Sequence, residues 1–500
     1  MSDQPPSPVA PQVLGTKTAA KPSLAQPKTR QLGPLLLTGV VVGSMIGGGS
    51  FNLPQNMANG AALGAVVIAW IVTLVGMFFL ANSFRTLADK RPDLTAGIYS
   101  YAREGFGKFA GFMMAWGYWL SSAFGNVAFA VLIMQILGYF FPIFGKGQNI
   151  PSLIGGSILI WVMCFIVLSG VKRAAFLNVL ASVLNVVTIG IALIIMAAFA
   201  QAGHFNVDVW GTATHLGGIL GQVKSTMLVT LWVFIGIEGA VVVSDRARSQ
   251  HDVGIATFVG LGVCTLLYAL LSILPFGTMT QPELAKLSNP SAAYILKTLV
   301  GNWGAVFVNV SLLASVLSCW LAWTILVAEL PFMGAKGGVF PRFLAGENQH
   351  HAAAPSLWLS SVVMQITMFV ILFAHDAWIW LISITGVMIL PAYLASTAYL
   401  WKYAHSRGYK ASAGETMRES IITGILGTVY SVWLLYAAGP QYLLMSTTIF
   451  LVGIPVFWWA QREQKAAKTF TTAEAAAAGV LTVAAVISII LIAKGVVSVS

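Results

Sequence analysis

Apolar residues fill this chain in stretches of about 20, separated by short polar connections. That is the length a helix needs to cross the hydrocarbon of a bilayer. The stretches fall near residues 33–57, 62–84, 109–140, 152–170, 175–201, 222–244, 254–278, 303–331, 356–374, 377–401, 419–437, 440–460 and 473–497. Numbered in chain order as spans 1–13, they predict an all-α polytopic membrane protein with 12–13 transmembrane helices. Two spans are interrupted. Span 1 contains Gly43-Ser44-Met45-Ile46-Gly47-Gly48-Gly49-Ser50-Phe51-Asn52-Leu53-Pro54. Each glycine there costs about 1 kcal/mol relative to alanine inside a helix. Backbone freed at that depth must be buried in protein or line a cavity. Span 6 contains Trp232-Val233-Phe234-Ile235-Gly236-Ile237-Glu238-Gly239, with a carboxylate in an apolar run.

Both interruptions lie a similar distance into their spans. Spans 1–5 and 6–10 therefore read as two five-helix repeats, residues 32–201 and 222–401. Five is odd, so the second repeat starts on the opposite face and the pair is inverted. Broken helices meeting at mid-membrane expose N–H groups that suit an amino acid's carboxylate and carbonyls that suit its ammonium. Residues 1–31 read as a disordered cytoplasmic tail. Residues 32–401 read as the transporter core, and 402–500 as peripheral helices 11–13. A short interfacial helix is expected within 85–108, and an external gate within 280–300.

Composition narrows the class. The chain is 57% apolar and 9% charged, against roughly 25% charged in ordinary globular proteins. The net charge of +11 does not mark a nucleic-acid binder. With the N-terminus cytoplasmic, every Lys and Arg except Lys146, Lys224, Lys286, Lys297 and Lys494 falls on the cytoplasmic side, as the positive-inside rule requires. There is no phosphate-binding glycine loop, and no soluble segment is long enough to be an enzyme. Cys164, Cys264 and Cys319 lie within spans without metal-ligand spacing. His350 and His351 read as solvated loop residues. No cofactor or metal is expected.

Glu238 stands beside a helix break, where an intramembrane carboxylate needs a partner and marks a proton, ion or cation site. A structural alternative is a neutral glutamic acid bonded to unwound backbone. Glu329, near the cytoplasmic end of span 8, is expected to snorkel or pair with Lys336 or Arg342. Trp232 and Trp323 lie mid-span, away from the interfacial belts tryptophan favours, and an aromatic face there binds a cation. Ser122 and Asn126 share a face of span 3, either for substrate or for interhelical hydrogen bonds.

These residues resemble those of the amino acid–polyamine–organocation transporters, within them the basic amino acid antiporters and most closely bacterial arginine–ornithine antiporters. The glycine run of span 1, Leu231 to Glu238 of span 6, and Tyr118-Trp119-Leu120 with Gly125-Asn126 in span 3 carry the resemblance. Trp323-Thr324 adds a weaker match. The resemblance covers roughly residues 32–460. It implies that backbone at Ile46, Gly47, Gly48 and Gly49 receives the α-carboxylate and backbone at Ile235 the α-amine. It also implies that Trp232 and Ile235 shape the aliphatic surroundings and outer gate. Trp323 would stack on a guanidinium, Asn126 would bond its far end, and Glu238 would serve gating and proton sensing. Against arginine–agmatine antiporters, Gly48 replaces a serine, and Ser121 and Ser122 replace alanine and cysteine. In span 10 a serine gives way to Ile384, flanked by Ser383 and Thr385. A tyrosine after the span-10 proline is also displaced: Pro391 is followed by Ala392, then Tyr393.

The chain thus reads as a multi-pass exchanger of basic amino acids in a bacterial inner membrane. Arginine in for ornithine out is the expected pair, with lysine, agmatine and putrescine as further candidates. Its surroundings are the lipid bilayer, no nucleic acid is a partner, and a homodimer is compatible with this reading. The rivals are a proton-coupled amino acid or polyamine symporter or uniporter and, more remotely, a channel.

Overall fold

A computed structural model describes residues 33–94, 98–170, 174–238, 250–406, 409, 416–465 and 469–495. Ten of its helices are long and apolar enough to cross a membrane. Span 2 is Leu63–Lys90, span 3 Lys108–Phe140, span 4 Ile150–Leu168 and span 5 Ala174–Phe199. Span 7 is Gln250–Ile273, span 8 Asn302–Lys336, span 9 Ala354–Val370, span 10 Ala377–Ala404 and span 13 Thr472–Ala493. The tenth, Met417–Glu463, holds two spans, because Gly439 at φ +78 leaves the helical region just before Pro440. Spans 1 and 6 are the broken ones. The interfacial helix is Ile98–Phe106, and the outer connection forms Gln281–Ala285 and Ser291–Val300.

The helix ends are set by local chemistry. Asp376 accepts the Ile379 amide at 3.0 Å at the start of span 10. Thr416 with Glu419, and Thr471 with Glu474, form reciprocal capping boxes at the starts of spans 11 and 13. Each satisfies donors that a helix start otherwise leaves open.

Packing follows the internal symmetry. Span 1 packs on span 7, and span 6 on span 2. Span 3 packs on span 10, and span 8 on span 5. Spans 1 and 5 meet as spans 6 and 10 do, and spans 3 and 4 meet as spans 8 and 9 do. Exchanging spans 1–5 for spans 6–10 maps these contacts onto themselves. Burial grades outward: 94% of the apolar window of span 3 is buried, against 17% for span 13. Span 3 is the axis of the bundle and span 13 its rim.

One end gathers the basic residues. Lys402 reaches the Gly105 carbonyl at 2.6 Å, Arg103 the Gly337 carbonyl at 3.2 Å, and Arg91 bonds Asp93 at 2.7 Å and the Tyr399 hydroxyl. Lys336 bonds Glu347 at 2.8 Å, and the Arg342 backbone amide donates to Glu463. Glu329 is half-buried and feels the charge of Lys336 without a direct ion pair to it. The chain reverses at Gly337-Gly338 and brings Glu347 to Lys336. His350 and His351 are exposed, and His351 stands 3.5 Å from Glu347.

Candidate functional site

The helix of span 1 runs Pro34–Met45, stops, and resumes as a 3₁₀ turn over Gly48–Asn52 and a short helix Leu53–Ala58. The carbonyls set free are each taken up. Tyr268 of span 7 donates to the Met45 carbonyl at 2.8 Å. Asn185 of span 5 donates to Ile46 at 3.0 Å, and Ser50 to Gly47 at 3.1 Å. With its carbonyls occupied, the break has donors left: the first amides of the 3₁₀ turn, at Gly48 and Gly49, have no partner within it. The second half of span 1 is held by the connection between spans 7 and 8, where Gln281 donates to the Ala58 carbonyl at 2.6 Å and Gln55 to the Ala285 carbonyl at 3.2 Å.

Span 6 runs Ile219–Phe234 before Ile235 turns extended. Gly236 follows at φ +107, a region that L side chains with a Cβ rarely enter. In the last turn of the helix Trp232 accepts the Ile235 amide and Phe234 the Ile237 amide, at 3.2 and 3.1 Å, while the carbonyl of Val233 between them is left without its helical partner. Glu238 folds back under the break. Its carboxylate accepts the Tyr118 hydroxyl at 2.8 Å, the Tyr393 hydroxyl at 2.9 Å and the Gly236 amide at 3.2 Å. Spans 3, 6 and 10 are thus tied to one place. Residues 239–249 lie outside the described residues.

Between the breaks lies a narrow cavity of about 40 Å³. Span 1 lines it with Met45, Gly47, Gly49 and Ser50, and span 6 with Trp232, Val233 and Ile235. Span 3 adds Ser121, Ser122, Gly125 and Phe129, span 8 Cys319 and Trp323, and span 10 Thr385. The Trp232 indole lies between Gly49, where any Cβ would collide with it, and Gly125, where a Cβ would sit 3.5 Å from the ring. Trp378 meets it edge-on, with ring centroids 6.0 Å apart. Ser121 donates to the Thr385 carbonyl and Ser122 to the Tyr118 carbonyl, at 2.8 and 2.9 Å. The Thr385 hydroxyl is buried without a partner. Tyr118 precedes Ser122 by one turn, and Tyr393 follows Thr385 along span 10. The Glu238 cluster therefore lies between the cavity and the basic end.

Of the residues singled out from sequence, Gly47, Gly49, Ser121, Ser122, Trp232, Ile235, Trp323 and Thr385 line this one cavity. The others stand behind it. Ile46 is buried with its carbonyl on Asn185. Gly48 faces away, since a Cβ there would press on Leu132 and Val316. Ser383 is buried in span 10, two residues before the lining Thr385. Asn126 is fully buried, and neither atom of its amide has a hydrogen-bond partner. Glu238 sits beneath the cavity in its tyrosine cage. Sequence reasoning missed Gly125 and Phe129, although they continue the face of Ser121 and Ser122 at helical spacing. It missed Cys319, one turn before Trp323, in the same way. Nothing in the sequence alone points Tyr268 or Asn185 at span 1.

A bundle with two opposed helix breaks around one enclosed cavity is the architecture of a secondary transporter. The amino acid permease family model matches residues 32–460, and the chain belongs to that family; it is a multi-pass membrane transporter and not an enzyme. It is 50% identical over 450 residues to the arginine/agmatine antiporter of Chlamydia felis, covering 89% of this chain and 93% of that one. Against the protein of that name in Chlamydia trachomatis serovar L2 it is 50% identical over 445 residues, 88% and 92% of the two chains. A putative amino-acid transporter of Clostridium perfringens is 48% identical over 475 residues, 93% of this chain and 99% of the relative.

Proposed function

We propose that the chain exchanges arginine for a second basic solute by alternating access around the central cavity. The observation that carries this reading is the composition of the cavity wall. It presents free amides at one break, a free carbonyl at the other, and an aromatic face with an unbonded hydroxyl away from both. Arginine's carboxylate fits the amides at Gly48 and Gly49. Its ammonium fits the end of the helix Ile219–Phe234 at Val233 and Ile235. Its guanidinium fits the face of Trp323 and the Thr385 hydroxyl. Trp232, packed under Trp378, closes the outer side, and the Tyr118–Glu238–Tyr393 cluster closes the side toward the basic end. Spans 1, 2, 6 and 7 rock against the rest, and spans 11–13 stay peripheral. The basic end is cytoplasmic, in a bacterial inner membrane.

Ornithine is the exchange partner in this reading. It carries the same single net positive charge as arginine, so the cycle moves no charge. Agmatine is the second reading, favoured by the names of the Chlamydia relatives. It lacks a carboxylate and carries one more net charge, so exchanging it moves charge across the membrane. Labelled arginine uptake into proteoliposomes preloaded with arginine, ornithine, lysine, agmatine or putrescine separates the two. Ornithine-driven uptake indifferent to a clamped membrane potential supports the first. Uptake driven by agmatine alone and sensitive to the potential replaces it with the second. Arginine uptake into empty vesicles, driven by a proton gradient, overturns both in favour of a symporter.

A further inference from the structure

Two features at the basic end play no part in transport as described above. Arg103 of the interfacial helix and Lys108, first residue of span 3, line a polar recess with Gly337, Gly338, Gln461 and Gln464. Among the described residues neither cation has a carboxylate within salt-bridge reach. The neighbouring acids are engaged elsewhere. Glu474 accepts the Phe109 and Thr471 amides, each at 2.9 Å, and Glu463 accepts the Arg342 amide at 2.6 Å. Two exposed cations thus face one recess, neither of them in an ion pair among the described residues.

Deeper along the same elements runs an apolar groove of about 760 Å³, walled by spans 3, 9, 10 and 12 with Ile492 of span 13. Span 3 gives Lys108 to the recess and Trp116 to the groove. The connection after span 8 gives Gly337 and Gly338 to the recess, then Phe340 and Phe343 to the groove. Span 12 gives Gln464 to the recess and Val456 to the groove. Lys108 and Trp116, like Gln464 and Val456, are eight residues apart, about 12 Å along a helix. The headgroup layer is roughly 5–8 Å deep on each side of the hydrocarbon. A ligand with its charge in the recess therefore has its tail in the groove. Phe343 and Trp459, stacked 5.4 Å apart and both exposed, mark the boundary between the two.

We propose that the recess and groove together bind one anionic phospholipid. Its phosphate lies against Arg103 and Lys108 and its acyl chains lie along the groove. Charge complementarity favours this occupant, because basic pockets between spans at the cytoplasmic surface select anionic headgroups.

The test is native mass spectrometry of the full chain in neutral detergent, titrated with phosphatidylglycerol, phosphatidylethanolamine or inorganic phosphate. Wild type is expected to retain one phosphatidylglycerol at a concentration at least ~10-fold below that needed for phosphatidylethanolamine, in line with a loss of about 1.4 kcal/mol or more on removing the charge. Arg103→Gln with Lys108→Gln abolishes the preference, and Arg103→Lys with Lys108→Arg restores it, which separates charge from folding. Val452→Trp, which fills the groove at an exposed position, cuts retention of both lipids. Equal retention of the two lipids by wild type overturns the proposal. So does displacement of bound phosphatidylglycerol by inorganic phosphate, which marks a free-anion site. A Val452→Trp variant that dissociates a dimer while keeping its lipid overturns it in favour of a second copy in the groove.

Discussion

At the scale of single residues, polar atoms without partners separate what serves the fold from what serves a ligand. The Thr385 hydroxyl lines the cavity and bonds nothing, so the folded state gains little from it. Thr385→Val is expected to leave the melting temperature unchanged or slightly higher. Arginine affinity should fall by the ~1.5–3 kcal/mol of a hydrogen bond to a charged group, roughly 10- to 150-fold in Kd. Calorimetric titration beside a thermal melt checks both, and a lowered melt with intact affinity assigns the hydroxyl to the fold. Trp323 offers an aromatic face in the same wall. Trp323→Leu is expected to weaken arginine by about ten-fold, the loss of a desolvated cation–π contact of ~1–2 kcal/mol. Unchanged arginine binding by folded variant removes Trp323 from the site.

At the scale of elements, the two breaks are held open by side chains from other helices. Tyr268 and Asn185 cap the carbonyls of span 1, and Glu238 caps the turn of span 6. The side of Gly48 on which a Cβ would stand belongs to this packing. Gly48→Val drives a branched side chain into Leu132 and Val316, so transport should be lost together with several degrees of melting temperature. A variant that is stable and still exchanges arginine shows that the break tolerates a side chain there. The glycine run and the Gly236 turn were legible in the sequence because glycine in an apolar span has a local cost that needs a reason. The thirteen spans were legible because bilayer thickness imposes one length on each. The cavity wall was partly legible, since Ser121, Ser122 and Trp323 lie on helix faces where polar or aromatic groups stand out. Tyr118, Tyr393 and Tyr268 were not, because a tyrosine's hydroxyl finds its acceptor through tertiary packing that no spacing encodes. The direction of Gly48 was likewise beyond reach, because a broken helix has no fixed period from which to read it, and that Asn126 lies behind the wall is decided by packing around the unbroken span 3.

At the scale of the whole molecule, the exchange of spans 1–5 with 6–10 gives two arrangements of the same contacts, and alternating access needs two such states of similar energy. Glu238 joins spans 3, 6 and 10 below the cavity and is the titratable group best placed to couple protons to that change. Glu238→Gln keeps an acceptor for one tyrosine, and its NH₂ donates to the other hydroxyl, which accepts. Arginine exchange is expected to persist, while its pH dependence flattens. Exchange rates measured across pH 5–8 decide this. If wild type accumulates arginine on protons alone and Glu238→Gln cannot, the protein is a symporter.

The central claim is that the cavity between the two breaks holds arginine. A cryo-EM map of the arginine-saturated protein tests it most directly. The account predicts density in that cavity, with the carboxylate end at the amides of Gly48 and Gly49 and the planar end over Trp323. An empty cavity in protein shown by calorimetry to have bound arginine, or density at another site, contradicts it.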